Sequence, residues 1–121
     1  MTRRRPEDAI QRAVFEHLRV RGTLGVFAFH PANGGWRSRI EAAILKGLGA
    51  RPGVPDVIAI KAGRAYAIEL KVRGGRLTEP QRAAHIALRA AGAAVAVSYG
   101  LDAALDQLER WGLLHGRRGK A

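Results

Sequence analysis

Asp56, Glu69 and Lys71 are the residues whose types and spacing are best suited to chemistry. Each carboxylate stands in an apolar segment of strand length, where Asp and Glu are uncommon. Two carboxylates brought close together repel each other unless a cation sits between them. All-oxygen ligation suits Mg²⁺, with Mn²⁺ as a substitute, and Mg²⁺ is commonly held by carboxylates, waters and a substrate phosphate. The lysine could then orient or help deprotonate a water, or offset phosphate charge. The alternative is a surface hairpin in which Glu69 and Lys71 merely form an ion pair.

The two segments that carry these residues are predicted to form a β-hairpin. Residues 53–60 and 65–71 are joined by a short connection that contains a glycine. If residues 62–63 form a two-residue turn, counting back along both strands places Asp56 opposite Glu69. Opposed residues share a face, as do residues two apart in a strand, so both carboxylates and the lysine would converge. Alanine is a poor first residue for such a turn, and a slip of one residue would move Asp56 to the other face.

The same residues resemble a known nuclease signature. Pro55-Asp56 followed by Glu69-Leu70-Lys71 is similar to the PD-(D/E)XK motif. The wider pattern resembles the VRR-NUC (virus-type replication-repair nuclease) branch, over about Glu7 to Leu108. The matching stretches are Gly53-Val54-Pro55-Asp56-Val57-Ile58-Ala59-Ile60, Ile68-Glu69-Leu70-Lys71-Val72 with Gly74, Leu77, Thr78 and Gln81, and Gly92-Ala93.

The resemblance implies a fold and a set of site residues. The implied fold is α/β, a restriction-endonuclease-like α/β/α sandwich around a four-stranded mixed sheet. The implied Mg²⁺ ligands are Asp56, Glu69 and the backbone carbonyl of Leu70, with Glu7 as a further ligand. Lys71 would position the attacking water, and Glu7 and Gln81 would support catalysis.

The resemblance also implies what the protein acts on. Stand-alone members resemble Holliday-junction resolvases and act as homodimers, so the expected activity is Mg²⁺-dependent hydrolysis of phosphodiester bonds in branched DNA. The alternatives are a flap or nicking nuclease on other branched DNA, or a non-catalytic DNA-binding accessory protein. A cytoplasmic protein, encoded by a bacterium or a phage, is expected.

Composition agrees with a nucleic-acid partner. The 121 residues carry a net charge of +11, which suggests a polyanion. They fit one domain, 1–121, with basic, flexible tails at 1–5 and 115–121. There is no cysteine and no apolar run of the ~20 residues that a membrane span needs. The arginines expected to contact DNA lie in Gly-rich or helical basic segments and are Arg37, Arg39, Arg51, Arg73 and Arg76.

The remaining elements follow from periodicity and punctuation. The pattern predicts helices at 6–21, 37–48, 78–91 and 101–111 and further strands at 24–29 and 93–99. The last strand is continuously apolar, which predicts burial.

Four residues near these elements have two interpretations each. Glu7 either interacts with the helix dipole or faces the site. Gln81 either closes a capping box with Thr78 or faces the site. His30 and His85 either contact the substrate or have structural roles.

Overall fold

A computed structural model describes residues 6–32 and 38–117. Its elements follow the predicted order, and the first strand is shorter than expected. They are α1 (Pro6–Arg21), β1 (Phe27–Phe29), α2 (Arg39–Gly47), β2 (Val57–Lys61), β3 (Arg64–Lys71), α3 (Glu79–Ala90), β4 (Ala94–Tyr99) and α4 (Leu101–Arg110).

The four strands form one mixed sheet in the order β1-β2-β3-β4. The β1–β2 and β2–β3 pairs are antiparallel, and β4 runs parallel to β3 after a crossover through α3. The predicted two-residue turn is present: Ala62 and Gly63 both have positive φ, of 50° and 78°, as a type I′ turn requires. Lys61 lies opposite Arg64. The hairpin register predicted from the sequence is therefore confirmed.

The main core lies on one face of the sheet, under α1 and α4. Alternation along β2 and β3 directs one set of side chains to this face and the other set, which includes Glu69, to the opposite face. The buried core consists of Val14, Leu18, Val57, Ala59, Ile68, Leu70, Ala104, Leu105, Leu108, Leu113 and Leu114.

Helix α3 packs on the opposite face, with Ala84 and His85 buried against the sheet. A capping box starts it: Thr78 Oγ1 accepts from Gln81 N, and Gln81 Oε1 accepts from Thr78 N. Helices thus cover both faces of the sheet, as the sandwich architecture predicts.

The expected burial of the last strand is wrong in part. β4 is half-buried along most of its length, with Ser98 as its buried residue and Tyr99 exposed. Its apolar sequence agrees with the helices that cover both of its faces. Among the described strands, β3 pairs with one edge of β4, and the other edge of β4 is unpaired. A continuous apolar run therefore indicates covered faces and does not reveal an open edge.

Helix α2 differs from the other helices because none of its residues is buried. Its start is well formed, since Ser38 and Glu41 make a reciprocal capping box. Its apolar side chains Ile40 and Ile44 are 74% and 58% exposed. Local signals therefore account for the helix, and packing against the core does not.

The C-terminal segment is tied to α1 and α4. Leu114 bridges to Gly22, and His115 N donates to the Arg21 carbonyl. Arg117, in the segment 115–121 predicted to be a basic, flexible tail, forms ion pairs with Asp102, Asp106 and Glu109. Within the described residues, no helix is long and apolar enough to cross a membrane.

Candidate active site

Asp56 is held at the point where β2 begins. Its Oδ2 accepts a hydrogen bond of 2.8 Å from the backbone N–H of Leu70, which extends the contact between β2 and β3 by one residue. On the other side, His30 Nδ1 lies 2.7 Å from the Asp56 carbonyl and, facing an acceptor, must donate. The side chain of Asp56 is therefore held by β3, and its carbonyl by the residue that follows β1.

Glu69 lies beside Asp56 on the face covered by α3, and it is 3% exposed. Burial, the charge of Asp56 and a hydrogen bond with the Asp56 carboxyl raise the pKa of Glu69 to about 8, with Glu7 adding to the rise and Lys71 opposing it. Because the charge of Asp56 disfavours ionisation of Glu69, the pair holds a proton or calls for a cation. The convergence predicted from the hairpin is present.

Lys71 ends β3 on the same face as Glu69, as alternation predicts. It is half-buried, and its charge is felt at Glu69. The loop that follows turns at once, since Gly75 N donates to the Val72 carbonyl. Tyr99 Oη from β4 donates to the Gly75 carbonyl at 3.1 Å and anchors the loop beside the lysine.

Gln81 combines the two roles that the sequence presented as alternatives. Its Oε1 accepts from the Thr78 N–H at 2.9 Å, and its Nε2 donates to Glu69 Oε2 at 3.3 Å. The two ends of one amide thus cap the helix and contact the carboxylate. The expectation that the roles compete is wrong, because a primary amide carries an acceptor and a donor on opposite sides.

Glu7 lies close enough to the carboxylate pair for its charge to act on Glu69. It is half-buried at the first turn of α1, and its charge adds to the rise in the pKa of Glu69. Its position therefore agrees with the site-facing interpretation, while the helix-dipole interaction is available to it as well.

His85 is the site neighbour whose position the sequence left open. It is 2% exposed, and its Nε2 lies 3.4 Å from Glu69 Oε1. Burial and the charges of Arg89 and Lys71 hold the pKa of His85 below its usual value. The signal in the sequence was its spacing of four from Gln81, which puts both side chains on one face of α3. Its burial could not be read from that spacing.

The oxygen-rich pair fits a hard divalent cation that keeps several of its waters. No group of three or more His, Cys, Asp or Glu side chains arranged to hold a metal occurs within residues 6–32 and 38–117. Two carboxylates that resist joint ionisation, with a backbone carbonyl as a third oxygen, meet the modest ligand demand of Mg²⁺. The residues present therefore fit the implied ion.

The structure describes most of the arginines that are expected to contact DNA. Four of them, Arg39, Arg51, Arg73 and Arg76, are exposed. Arg73 and Arg76 stand in the loop directly after Lys71, and Arg51 stands in the loop that leads to Asp56. Arg37 lies outside the described residues.

Comparison with known proteins supports the architecture. No protein-family model matches the sequence, and no curated protein matches it significantly. A solved structure described as "VRR_NUC domain protein" is 23% identical and superposes with a TM-score of 0.74, covering 91% of this chain and 90% of its own. A second, described as "VRR_NUC domain", is 23% identical, with a TM-score of 0.56 and coverages of 86% and 94%.

The class that the sheet order and its covering helices define is the restriction-endonuclease-like α/β fold. Within that class, the chain has the fold of the VRR_NUC domains to which it is similar. The fold predicted from the motifs is confirmed.

Proposed function

We propose that this protein is a DNA endonuclease that depends on Mg²⁺, with Mn²⁺ able to substitute. The observation that carries the proposal is the convergence of Asp56, Glu69 and Lys71 on one sheet face, with the pKa of Glu69 raised to about 8. A pair of adjacent carboxylates of which one, Glu69, is buried destabilises a fold unless it has a ligand. A DNA-binding module without catalysis has no need of it.

In the proposed reaction one water is added across a phosphodiester bond. Asp56, Glu69 and the Leu70 carbonyl would hold the ion, which would supply charge neutralisation at the phosphate and lower the pKa of a water. Lys71 orients the water, and Gln81 and Glu7 keep Glu69 and its surroundings in place. The water oxygen forms a bond to phosphorus as the bond to the leaving oxygen breaks. The water gives up one proton and the leaving oxygen gains one, which yields a phosphate end and a hydroxyl end.

DNA as the substrate is supported by charge. The net charge of +11 favours a polyanion, and exposed arginines flank the carboxylate pair in sequence on both sides. Arg73 and Arg76 follow Lys71 in a turn, where a guanidinium can bind a phosphate in bidentate fashion. Arg39 and Arg51 extend the proposed contact surface, and Arg37 belongs to the same segment of the sequence.

We further propose that the substrate is branched DNA, of the four-way-junction type, and that the protein is a homodimer. Symmetric cleavage of two strands needs two sites related by a twofold axis, and one small domain offers one site. The support from this chain is a set of exposed apolar side chains: Phe27, Phe29 and Ile60 share one face of β1 and β2, and Ile40 and Ile44 lie on α2. They are between 38% and 74% exposed, and the three on the sheet form a group of the kind that marks interaction surfaces.

Cleavage assays with matched substrates test the proposal. Four-way, flap, nicked and linear duplexes of the same sequence are incubated with the protein in Mg²⁺, in Mn²⁺ and in EDTA, with Glu69→Gln as the matched control. We expect paired cuts in the four-way junction that need the metal and are absent from the variant. Cutting confined to flaps or nicked duplexes supports the alternative nuclease. Binding without cutting under every condition supports the accessory protein and contradicts the enzyme.

Competition binding separates junction recognition from general DNA binding. Affinity for the junction should fall steeply between about 50 and 200 mM salt, because many phosphates are neutralised together. If a linear duplex competes as well as a junction, the junction-specific proposal fails and a general nuclease takes its place.

A further inference from the structure

His85 is a buried polar side chain that the proposed reaction does not use. It is 2% exposed, lies on the face of α3 that packs against the sheet, and approaches Glu69 Oε1 with Nε2 at 3.4 Å. Gln81, one helical turn earlier, approaches the other oxygen of the same carboxylate at 3.3 Å. One helix therefore presents a nitrogen to each oxygen of Glu69.

The second ring nitrogen of His85 makes no hydrogen bond that would stabilise the fold. Its Nδ1 is buried and has no hydrogen-bond partner among the described residues. A Glu69 carboxylate that is ionised, as a metal ligand must be, can only accept, so Nε2 then carries the ring proton and Nδ1 is left as an acceptor without a donor. A buried acceptor in this state lowers stability, and an apolar side chain of similar volume would avoid that loss.

We propose that His85 is a positioning residue that orients the Glu69 carboxylate for metal binding, which rests on the proposed metal-dependent function. With Gln81 on Oε2 and His85 on Oε1, the carboxylate cannot rotate about its terminal bond, and both oxygens keep a lone pair directed away from α3. Such partners of a metal ligand typically change metal affinity or activity by 10–100-fold when they are removed.

Direct participation in catalysis is excluded by accessibility. A ring that is 2% exposed does not reach a phosphate or a water outside the helix, and its contact is with a ligand. An ordinary core residue would behave differently from a positioning residue. Removing a core side chain lowers stability and leaves metal affinity unchanged.

Three variants test the proposal in the full chain. His85→Leu fills the space without a donor, and His85→Gln offers an amide N–H at the level of Nε2. His17→Leu is the matched control, since His17 is half-buried on α1 and its Nδ1 accepts from Arg21 Nε at 3.0 Å. For each we would measure the Mn²⁺ dissociation constant by calorimetry, the melting temperature in EDTA, and cleavage of a four-way junction.

The expected pattern separates positioning from packing. His85→Leu should weaken Mn²⁺ binding and slow cleavage by about 10-fold or more with an unchanged or higher melting temperature. His85→Gln should recover most of the Mn²⁺ affinity. His17→Leu should lower the melting temperature and leave Mn²⁺ affinity unchanged.

Three results would overturn the role of His85: wild-type Mn²⁺ affinity in His85→Leu, a large fall in its melting temperature, or a His85→Gln variant no better than the leucine. Failure of the proposed nuclease function can be told apart from failure of the His85 role. In that case the wild-type protein itself would bind Mn²⁺ without cutting any DNA.

Discussion

The amide of Gln81 joins helix α3 to Glu69, with Nε2 3.3 Å from the carboxylate Oε2 and Oε1 2.9 Å from the Thr78 backbone N–H. The cap that starts the helix is thus also a contact of the candidate metal ligand. Because the cap fixes the first turn, the position of the carboxylate is linked to the start of α3. A substitution at the cap of α3 is therefore expected to affect the Glu69 carboxylate as well.

The carboxylate pair should separate cleavage from DNA binding. Asp56→Asn and Glu69→Gln should each lower cleavage by about 10³-fold, because a ligand that compensates charge in the transition state is lost. DNA affinity should stay the same or rise, since a charge that repels phosphate is neutralised. Single-turnover cleavage and fluorescence anisotropy on the same junction check both halves. Substantial Mg²⁺-dependent cleavage by either variant would contradict the metal assignment.

Lys71 should matter to the chemical step and not to metal binding. Lys71→Ala should slow cleavage by about 10²-fold or more, as expected when a group that orients the attacking water is lost, and should keep Mn²⁺ binding. Lys61→Ala is the control on the same hairpin, because Lys61 Nζ bonds Thr23 Oγ1 at 2.7 Å and serves the fold. Calorimetry that shows loss of Mn²⁺ binding in Lys71→Ala would make the lysine structural.

The stability of the metal-free protein should fall as the pH rises. Glu69 ionises near its ordinary value of 4.5 in the unfolded chain and at about 8 in the fold. Between these values the folded state binds more protons, so stability is highest below pH 4.5 with respect to this group and is lost progressively up to about pH 8. Urea unfolding in EDTA from pH 5 to 9 measures the slope.

The matched variants for this slope are Glu69→Gln and Glu79→Gln. The first should flatten the dependence, and the second, at a carboxylate whose side chain is 87% exposed, should leave it unchanged. Equal slopes in wild type and Glu69→Gln would refute the raised pKa.

Gly53 should be needed for the approach of the Asp56 loop to α3. Its φ is +80°, and an added Cβ would stand 2.2 Å from the Pro80 carbonyl oxygen. Gly53→Ala should therefore destabilise the fold by about 3 kcal/mol, from backbone strain and overpacking together. Gly25→Ala is the control, because its φ of +85° gives the same strain with nothing within 4 Å. Equal losses in urea unfolding would mean that the contact yields at little cost.

The exposed apolar side chains of β1 and α2 should control assembly. Phe27→Glu and Ile44→Glu should each convert the proposed dimer into a monomer, because a carboxylate cannot be buried there without a partner. Ile86→Glu is the control on α3, where a single isoleucine is 67% exposed. Light scattering at micromolar concentration gives the masses. A wild-type protein that is a strict monomer and still resolves junctions would rule out the paired-site arrangement.

The sequence by itself determined the local part of this site. The length of the 62–63 turn sets the hairpin register, and strand alternation then puts Glu69 and Lys71 on one face with Asp56 opposite Glu69. The capping box of Thr78 and Gln81 starts α3 at the place that this local signal indicates. These features depend on residues that are close in sequence, so no knowledge of packing is needed to derive them.

Only the tertiary structure decided which distant residues meet. Helix α3 lies over β3, so Gln81 and His85 reach Glu69, whereas α2 has the same local signals and buries nothing. The apolar run of β4 did not reveal that the strand forms an edge. The physical reason is that helix propensity and hydrophobic pattern specify which face is apolar, while the partner of that face is chosen by packing across the whole chain.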